Sequence, residues 1–401
     1  MIGKLNSQEC EDLARFLQEL VRTPSLSAQE GAVAGLIESK MQQLDFDEVR
    51  VDRVGNVIGR IGNDQGPKLL YDGHMDTVDI GDPSMWERDP FGGEIEGGVL
   101  YGRGSADMKS GLAAMIYGAK CLKDSGIPLK GSLYVVCVVQ EEPCEGLAVR
   151  HLIEEGGLRP DWVVLGEPSS LQISRGHRGR VEFEVKVRGR SAHGSAPESA
   201  ENAIYRAAGI ALELERISPS LSHDSFLGRG TLAVTEISSN AGSRNVIPDL
   251  CTLIVDRRLT GGETPESALT EIKHVVTKLG FPVEISITPY EAVSYTGHVC
   301  SQRNIFPAWV TKEDHRLVQA MIRTVEKVLG FRPNVRKWAF STDGCYTAGV
   351  AGIPTIGFGP ASERYAHTVD ELVELEKVFW AAQVYAQLGV DLLTSAHPYM
   401  G

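Results

Sequence analysis

Much that would assign a chain quickly is missing from this one. The seven cysteines (10, 121, 137, 144, 251, 300 and 345) are scattered with no Cys-x-x-Cys pair, which suits a reducing compartment and offers no thiolate metal site. The longest apolar run, Leu133 to Val139, is far short of the roughly 18 residues that span a bilayer. Residues 1–22 carry Lys4, Glu9, Glu11, Asp12, Arg15 and Glu19 and hold no apolar segment of the kind that directs secretion. Basic charge is also short: 40 Lys and Arg against 53 Asp and Glu leave a formal charge of −13, which argues against nucleic acid and anionic membranes as partners. There is no Gly-x-Gly-x-x-Gly, no Walker loop, no His-Glu-x-x-His and no Gly-x-Ser-x-Gly, which removes the usual signs of a dinucleotide enzyme, a phosphate-loop NTPase, a zincin and an α/β-hydrolase. The expectation is a cytoplasmic protein whose metal, if it has one, is held by imidazoles and carboxylates.

The 401 residues suffice for two or three domains. Leu13, Phe16, Leu17, Leu20 and Val21 repeat at helical spacing after Asn6-Ser7, predicting an opening amphipathic helix. Buried strands are predicted over 68–72, 132–139 and 161–166, and helices over 109–124 and 146–155. The same alternation returns with a helix over 313–329, a strand over 354–358 and a helix over 369–388. Continuous apolar strands alternating with helices indicate an α/β fold with a mostly parallel sheet covered on both faces. Between these stretches the texture changes. Val181, Phe183, Val185 and Val187 alternate with charged residues, the period-2 mark of a strand with one wet face. Helices over 200–216 and 265–279, and strands near 230–237, 250–258 and 283–288, complete a β-α-β-β-α-β order. That order is a ferredoxin-like insert. The expected domains are therefore 1–178 with 293–401, and an inserted 179–292.

The predicted parallel strands each run into acid or imidazole. Lys68 to Asp72 leads to His74 and Asp76, Ser132 to Val139 to Glu141-Glu142, Asp161 to Gly166 to Glu167, and Pro354 to Phe358 to a loop bearing His367; Asp107 precedes a helix. In an open α/β sheet these strand ends face one crevice. Singly, each residue is more often a solvated loop residue. Together, so many ionisable groups in one crevice demand a counter-charge, and a pair of divalent cations meets that demand. Imidazole with carboxylate suits Zn²⁺, with Co²⁺ or Mn²⁺ as alternatives. Of two adjacent glutamates, whose side chains diverge, one can bind metal while the other faces a water as general base.

These motifs resemble a known family. Gly73-His74-Met75-Asp76, the segment Gly102 to Lys109, Glu141-Glu142, Gly166-Glu167-Pro168, the segment Gly189 to His193 and the segment His367 to Glu371 look like the M20 metallopeptidases and deacylases, and within them most like the hydrolases linked to selenium metabolism. The resemblance implies that His74 and Glu167 hold one metal, Glu142 and His367 the other, and that Asp107 bridges them. It implies that Glu141 is the general base and acid, and that Asp76 hydrogen-bonds the His74 ring. His193 is implied to reach a neighbouring site across a homodimer formed through the inserted lid domain. Asn245 and Arg258 are implied to meet the substrate, Arg258 through a carboxylate. Arg257, on the opposite strand face, is expected at the surface. Arg175, His177, Arg178 and Arg180, where the chain crosses into the insert, are expected to mark a hinge rather than an anion site. Gln140 stands where related enzymes carry an acid, and Cys144 is expected to be a packed thiol.

The function so implied is a dinuclear metal-dependent amidohydrolase cleaving an N-acyl amino acid or a small peptide-like amide, its partner a small-molecule amide. A dipeptidase or carboxypeptidase on the same scaffold differs only in the pocket. A non-catalytic metabolite-binding protein would need fewer than two metals, and a mononuclear iron oxygenase would leave two carboxylates without a cation.

Overall fold

Hydrophobic pattern and capping chemistry decide where the first elements form. In the computed structural model, which describes residues 2–394, the opening helix is Ser7–Arg22. The Asn6 side chain accepts from the Glu9 N–H while Glu9 reaches back to the Asn6 N–H, a reciprocal cap worth about 1 kcal/mol. Its Leu13, Phe16, Leu17, Leu20 and Val21 are all fully buried.

The main sheet runs in the order Glu48–Val51, Val57–Ile61, Ser132–Val138, Lys68–His74, Trp162–Leu165, Thr355–Gly357, Ile173–His177, Trp309–Val310, with Val335–Trp338 also against Ile173–His177. Its four central strands, Ser132–Val138 through Thr355–Gly357, are mutually parallel, and antiparallel strands lie toward the edges. Ser132–Val138 is buried at every position, as a strand covered on both faces must be. On one face helix Ser110–Asp124 packs against Leu375–Leu393, and the Tyr71 hydroxyl donates to the Tyr385 carbonyl at 2.6 Å.

The second sheet is antiparallel, in the order Thr231–Ser238, Leu250–Leu259, Gly179–Arg188, Val283–Ile287. Helices Ala203–Ile217 and Pro265–Leu279 pack with it around a separate core that includes Val181, Phe183, Val185, Leu253, Val255, Ile210 and Ile272. The return connection touches both cores: Tyr290 and Tyr295 pack against the first, Ile305 against the second.

Two expectations need correction. The helix expected over 369–388 is Leu375–Leu393, because Leu372–Glu374 forms a strand against Val99–Tyr101. Arg257 is not at the surface. It lies on the same strand face as Leu253 and Val255, fully buried, with Nη2 at 3.0 Å from Glu271, and it also pairs with Glu263.

Candidate metal centre and active site

Because the central strands are parallel, the residues that follow them gather on one edge. His74 ends its strand. Gln140, with φ of 53°, bends the chain after Ser132–Val138 so that Glu141 and Glu142 diverge. Glu167 follows Trp162–Leu165, and a Cβ on Gly111 would stand 2.3 Å from the Gly166 carbonyl oxygen, so only glycine lets the helix start press on that strand end.

Five of the predicted ligands meet here. His74 Nε2 lies 3.1 Å from Asp107 Oδ1 and 3.6 Å from Glu167 Oε1; His367 Nε2 lies 3.3 Å from Asp107 Oδ2 and 3.0 Å from Glu142 Oε2. Asp107 thus turns one oxygen to each imidazole. Glu141 joins His74 and Glu167 in a second close grouping, and one of its carboxylate oxygens is buried without a hydrogen-bond partner. All six line a cavity of about 370 Å³.

The electrostatics call for positive charge between these groups. Burial pushes Glu141 and Glu167 well above the usual carboxylate range and Glu142 upward. Burial would lower His74, but the Glu167 charge and the bond to Asp107 outweigh it and raise the ring. Bonds to Asp107 and Glu142 push His367 up to about 10. His74 Nδ1 lies 2.9 Å from the Asp76 carbonyl oxygen. Donation there leaves the neutral ring with an Nε2 lone pair aimed at carboxylate oxygens, which is repulsive unless a proton or a metal intervenes. Imidazole and carboxylate donors in this arrangement fit a pair of divalent cations.

Asp76 serves the site differently from the sequence expectation. Its carbonyl, not its carboxylate, is at bonding distance from the His74 ring, the nearest carboxylate oxygen being 3.7 Å away. The carboxylate instead accepts from the backbone N–H groups of Glu141 at 3.1 Å and Glu142 at 3.2 Å and from the Ser27 hydroxyl at 2.6 Å. Gln140 is tied by the Tyr290 hydroxyl at 2.8 Å, and Cys144 is a buried thiol.

Other residues here carry no ligand spacing and were not singled out individually from the sequence. Fully buried Glu371 accepts from the N–H groups of Ala106 at 2.7 Å, Asp107 at 2.9 Å and Gly104 at 3.1 Å, and from Arg103 at 2.7 Å. It holds the loop that carries Asp107. Asp343, pushed up to about 7 by burial, accepts from the Gly146 N–H at 2.5 Å behind the Glu141 loop. The signals for Glu371 were the motif segment His367 to Glu371, which it closes, and the glycine-rich turn at 102–107, whose donors need an acceptor.

His193 and Asn245 stand apart. Both are exposed on the ribbon formed by Ala192–His193 and Val246–Ile247, where the Gly194 N–H donates to the Asn245 carbonyl at 2.6 Å, and neither lines the cavity. Arg258 does line it, together with Arg180. The expected hinge cluster is dispersed. Arg175 stacks 3.6 Å from the Phe226 ring centre, buried His177 accepts from the Thr342 N–H at 3.0 Å, and Arg178 donates to the Arg229 carbonyl at 2.8 Å.

With this geometry, the sequence profile of peptidase family M20/M25/M40 matches residues 70–390. The chain belongs to that family. YgeY of Escherichia coli (strain K12), itself described as an uncharacterized protein, is 41% identical over 385 residues, 96% of this chain and 95% of YgeY. A succinyl-diaminopimelate desuccinylase of Thioalkalivibrio sulfidiphilus (strain HL-EbGR7) is 28% identical over 392 residues, 95% of this chain and 99% of that enzyme. Among solved structures, the Bacillus subtilis YXEP protein, described as a dinuclear metal binding peptidase of the M20 family, superposes with a TM-score of 0.72 at 18% identity, covering 97% of this chain and 99% of that one. At that identity the likeness shows the fold. As an M20 member the chain is a metal-dependent hydrolase of amide bonds. No helix among the described residues is long and apolar enough to cross a membrane.

Proposed function

We propose that this M20 hydrolase is a deacylase that removes the acyl group from an N-acyl amino acid or a related small peptide-like amide. His74 and Glu167 would hold one divalent cation, Glu142 and His367 a second, and Asp107 both, with Zn²⁺ the first choice and Co²⁺ or Mn²⁺ the alternatives. Two such cations would polarise the amide carbonyl and lower the pKa of a bound water toward neutrality. Glu141 accepts the proton of the attacking water as the new C–O bond forms. It then returns that proton to the departing nitrogen as the C–N bond breaks. Asp76 orients the Glu141 and Glu142 backbone throughout. The observation that carries the hydrolytic part of this reading is the Glu141 carboxylate: buried beside His74, lining the cavity, with one oxygen that no group in the protein claims.

Glu141→Gln is expected to keep two metals per chain by elemental analysis and to lower kcat by about 10²- to 10⁴-fold, the weight of a general base. A variant with normal metal content and normal turnover would remove Glu141 from the mechanism. A panel of acetyl-amino acids against dipeptides, read by mass spectrometry, decides between the deacylase and a dipeptidase or carboxypeptidase on the same scaffold. Residues 179–292 are proposed to act as a lid and dimerisation unit beside a catalytic unit of 1–178 and 293–401, in a cytoplasmic homodimer. The exposed His193 and Asn245 support this, since they would meet an active site only after lid movement or from a second copy.

A further inference from the structure

The return connection from the insert does more than join two cores. Between strand Val283–Ile287 of the antiparallel sheet and strand Trp309–Val310 of the main sheet it forms a hairpin, Pro289–Val293 against Val299–Arg303, in which Tyr290 stands opposite Gln302 and Ala292 opposite Cys300. That one cross-strand pair reaches both ends of the segment carrying Glu141 and Glu142. The Tyr290 hydroxyl donates to Gln140 Oε1 at 2.8 Å, and Gln302 Nε2 lies 3.4 Å from Cys144 Sγ and 3.5 Å from the Glu145 carbonyl oxygen. Gln140 is fully buried, and its Nε2 lies 3.9 Å from Cys300 Sγ, so both polar atoms of its side chain meet the hairpin. Its φ of 53° is costly for a residue with a Cβ and persists only where the surroundings over-determine it. The hairpin is a large part of those surroundings.

The hairpin is itself fixed at both ends. At its foot, the Thr288 hydroxyl donates to Glu182 Oε1 at 2.6 Å, Asn304 Nδ2 donates to the Thr288 hydroxyl oxygen at 2.8 Å, and Ile305 pairs with Val181, which joins the foot to the antiparallel sheet. At its tip, the Tyr295 hydroxyl donates to the Gly55 carbonyl at 2.9 Å and the Thr296 hydroxyl to the Arg53 carbonyl at 2.7 Å. A Cβ on Gly55 would stand 2.3 Å from the Tyr295 ring, so the tip is seated closely on the larger core.

We propose that Tyr290 and Gln302 are positioning residues for the hydrolysis, clasping the Glu141-Glu142 segment from the hairpin and so fixing where the general base and its neighbouring carboxylate point. Tyr290 acts through Gln140. This rests on the reading of Glu141 as general base and Glu142 as metal ligand, and deepens it. Asp76, beyond a strand end of the main sheet, holds the same segment by two backbone N–H groups, while the hairpin holds its two ends from the side of the insert. The direction of Glu141 is therefore set by both sheets together.

The test uses the full-length, zinc-loaded protein and the N-acetyl-amino acid that it cleaves fastest. Tyr290→Phe deletes only the hydroxyl and is expected to lower kcat by about tenfold, with KM within about twofold of wild type. Gln140→Leu should do the same, and the double variant should fall no further than the worse single one, because the two groups act through one bond. Gln302→Ala should cost less, its contacts being longer. Tyr295→Phe, which deletes a hydroxyl bond of similar length at the hairpin tip, should keep the wild-type kcat. A wild-type kcat in Tyr290→Phe, losses that multiply in the double variant, or an equal loss in Tyr295→Phe would overturn the proposal. If no N-acetyl-amino acid is cleaved, the deacylase reading fails for these substrates and Co²⁺ decides the clasp. Visible-absorption titration of the metal-free protein should then show the second Co²⁺ bound about tenfold more weakly in Tyr290→Phe than in wild type, with the first unchanged. Equal affinities in the two proteins, or no second Co²⁺ in wild type, overturns it.

Discussion

The parallel sheet and the ribbon formed by Ala192–His193 and Val246–Ile247 place functional side chains in opposite ways. On the parallel sheet, three of the segments that reach the cavity are braced from behind by buried carboxylates: Glu371 holds the Asp107 loop, Asp76 the Glu141-Glu142 turn and Asp343 the loop after it. On the ribbon, His193 and Asn245 stand exposed, and the nearest partner of His193 is the Ser195 hydroxyl at 2.7 Å. A centre proposed to hold divalent cations needs fixed distances, and buried charge networks supply them at a cost in stability. A surface group proposed to act only when another body arrives needs no such bracing.

Four experiments would break or sharpen that contrast. The largest effect is expected for Asp107→Ala, which removes the one carboxylate facing both imidazoles. Metal content should fall below two per chain, and activity should drop by more than the roughly 10- to 100-fold typical of outer partners. Next comes Glu371→Ala, which leaves Arg103 buried and three loop N–H groups without their acceptor. A loss of about 3 to 5 kcal/mol in denaturant unfolding, with metal affinity down about 10- to 100-fold, is expected. A loss under 1 kcal/mol would show that the loop holds its own shape. Asp76→Ala should cost about 1 to 3 kcal/mol and reduce kcat with little change in the first metal bound, because His74 keeps its carbonyl partner. The smallest effect on stability belongs to His193→Ala, within about 0.5 kcal/mol of wild type and with full metal content. If it works across a dimer, mixing this variant with Glu141→Gln chains should recover activity lost by each. No recovery in verified mixed dimers would place His193 outside the reaction.

Strand ends were readable from sequence because a doubly covered strand announces itself as an unbroken apolar run, and the residue after it is placed by topology alone. Hence His74, Glu141, Glu142, Glu167 and His367 could be gathered before any distance was known. Of the bracing carboxylates, only Asp76 could. Glu371 and Asp343 act on backbone N–H groups more than 190 residues away in sequence, and nothing in local spacing marks such a bond. Arg257 was misplaced because alternation tells which residues share a face, not which face is covered. Its face carries Leu253 and Val255 into the core, and the guanidinium ends among Glu263 and Glu271. The late start of the last helix has a similar origin, since Leu372 and Val373 fit either an apolar helix stripe or a short strand against Val99–Tyr101.

The bond from Glu371 to the Asp107 loop has a consequence for synthesis. A ribosome making this chain releases His74, Asp107, Glu141, Glu142 and Glu167 long before His367 and Glu371. Until those last residues emerge, the loop bearing Asp107 has no anchor and the second imidazole is missing. The nascent protein therefore carries most of its candidate metal-binding groups without a finished centre, and hydrolytic competence is withheld until His367 and Glu371 have been made.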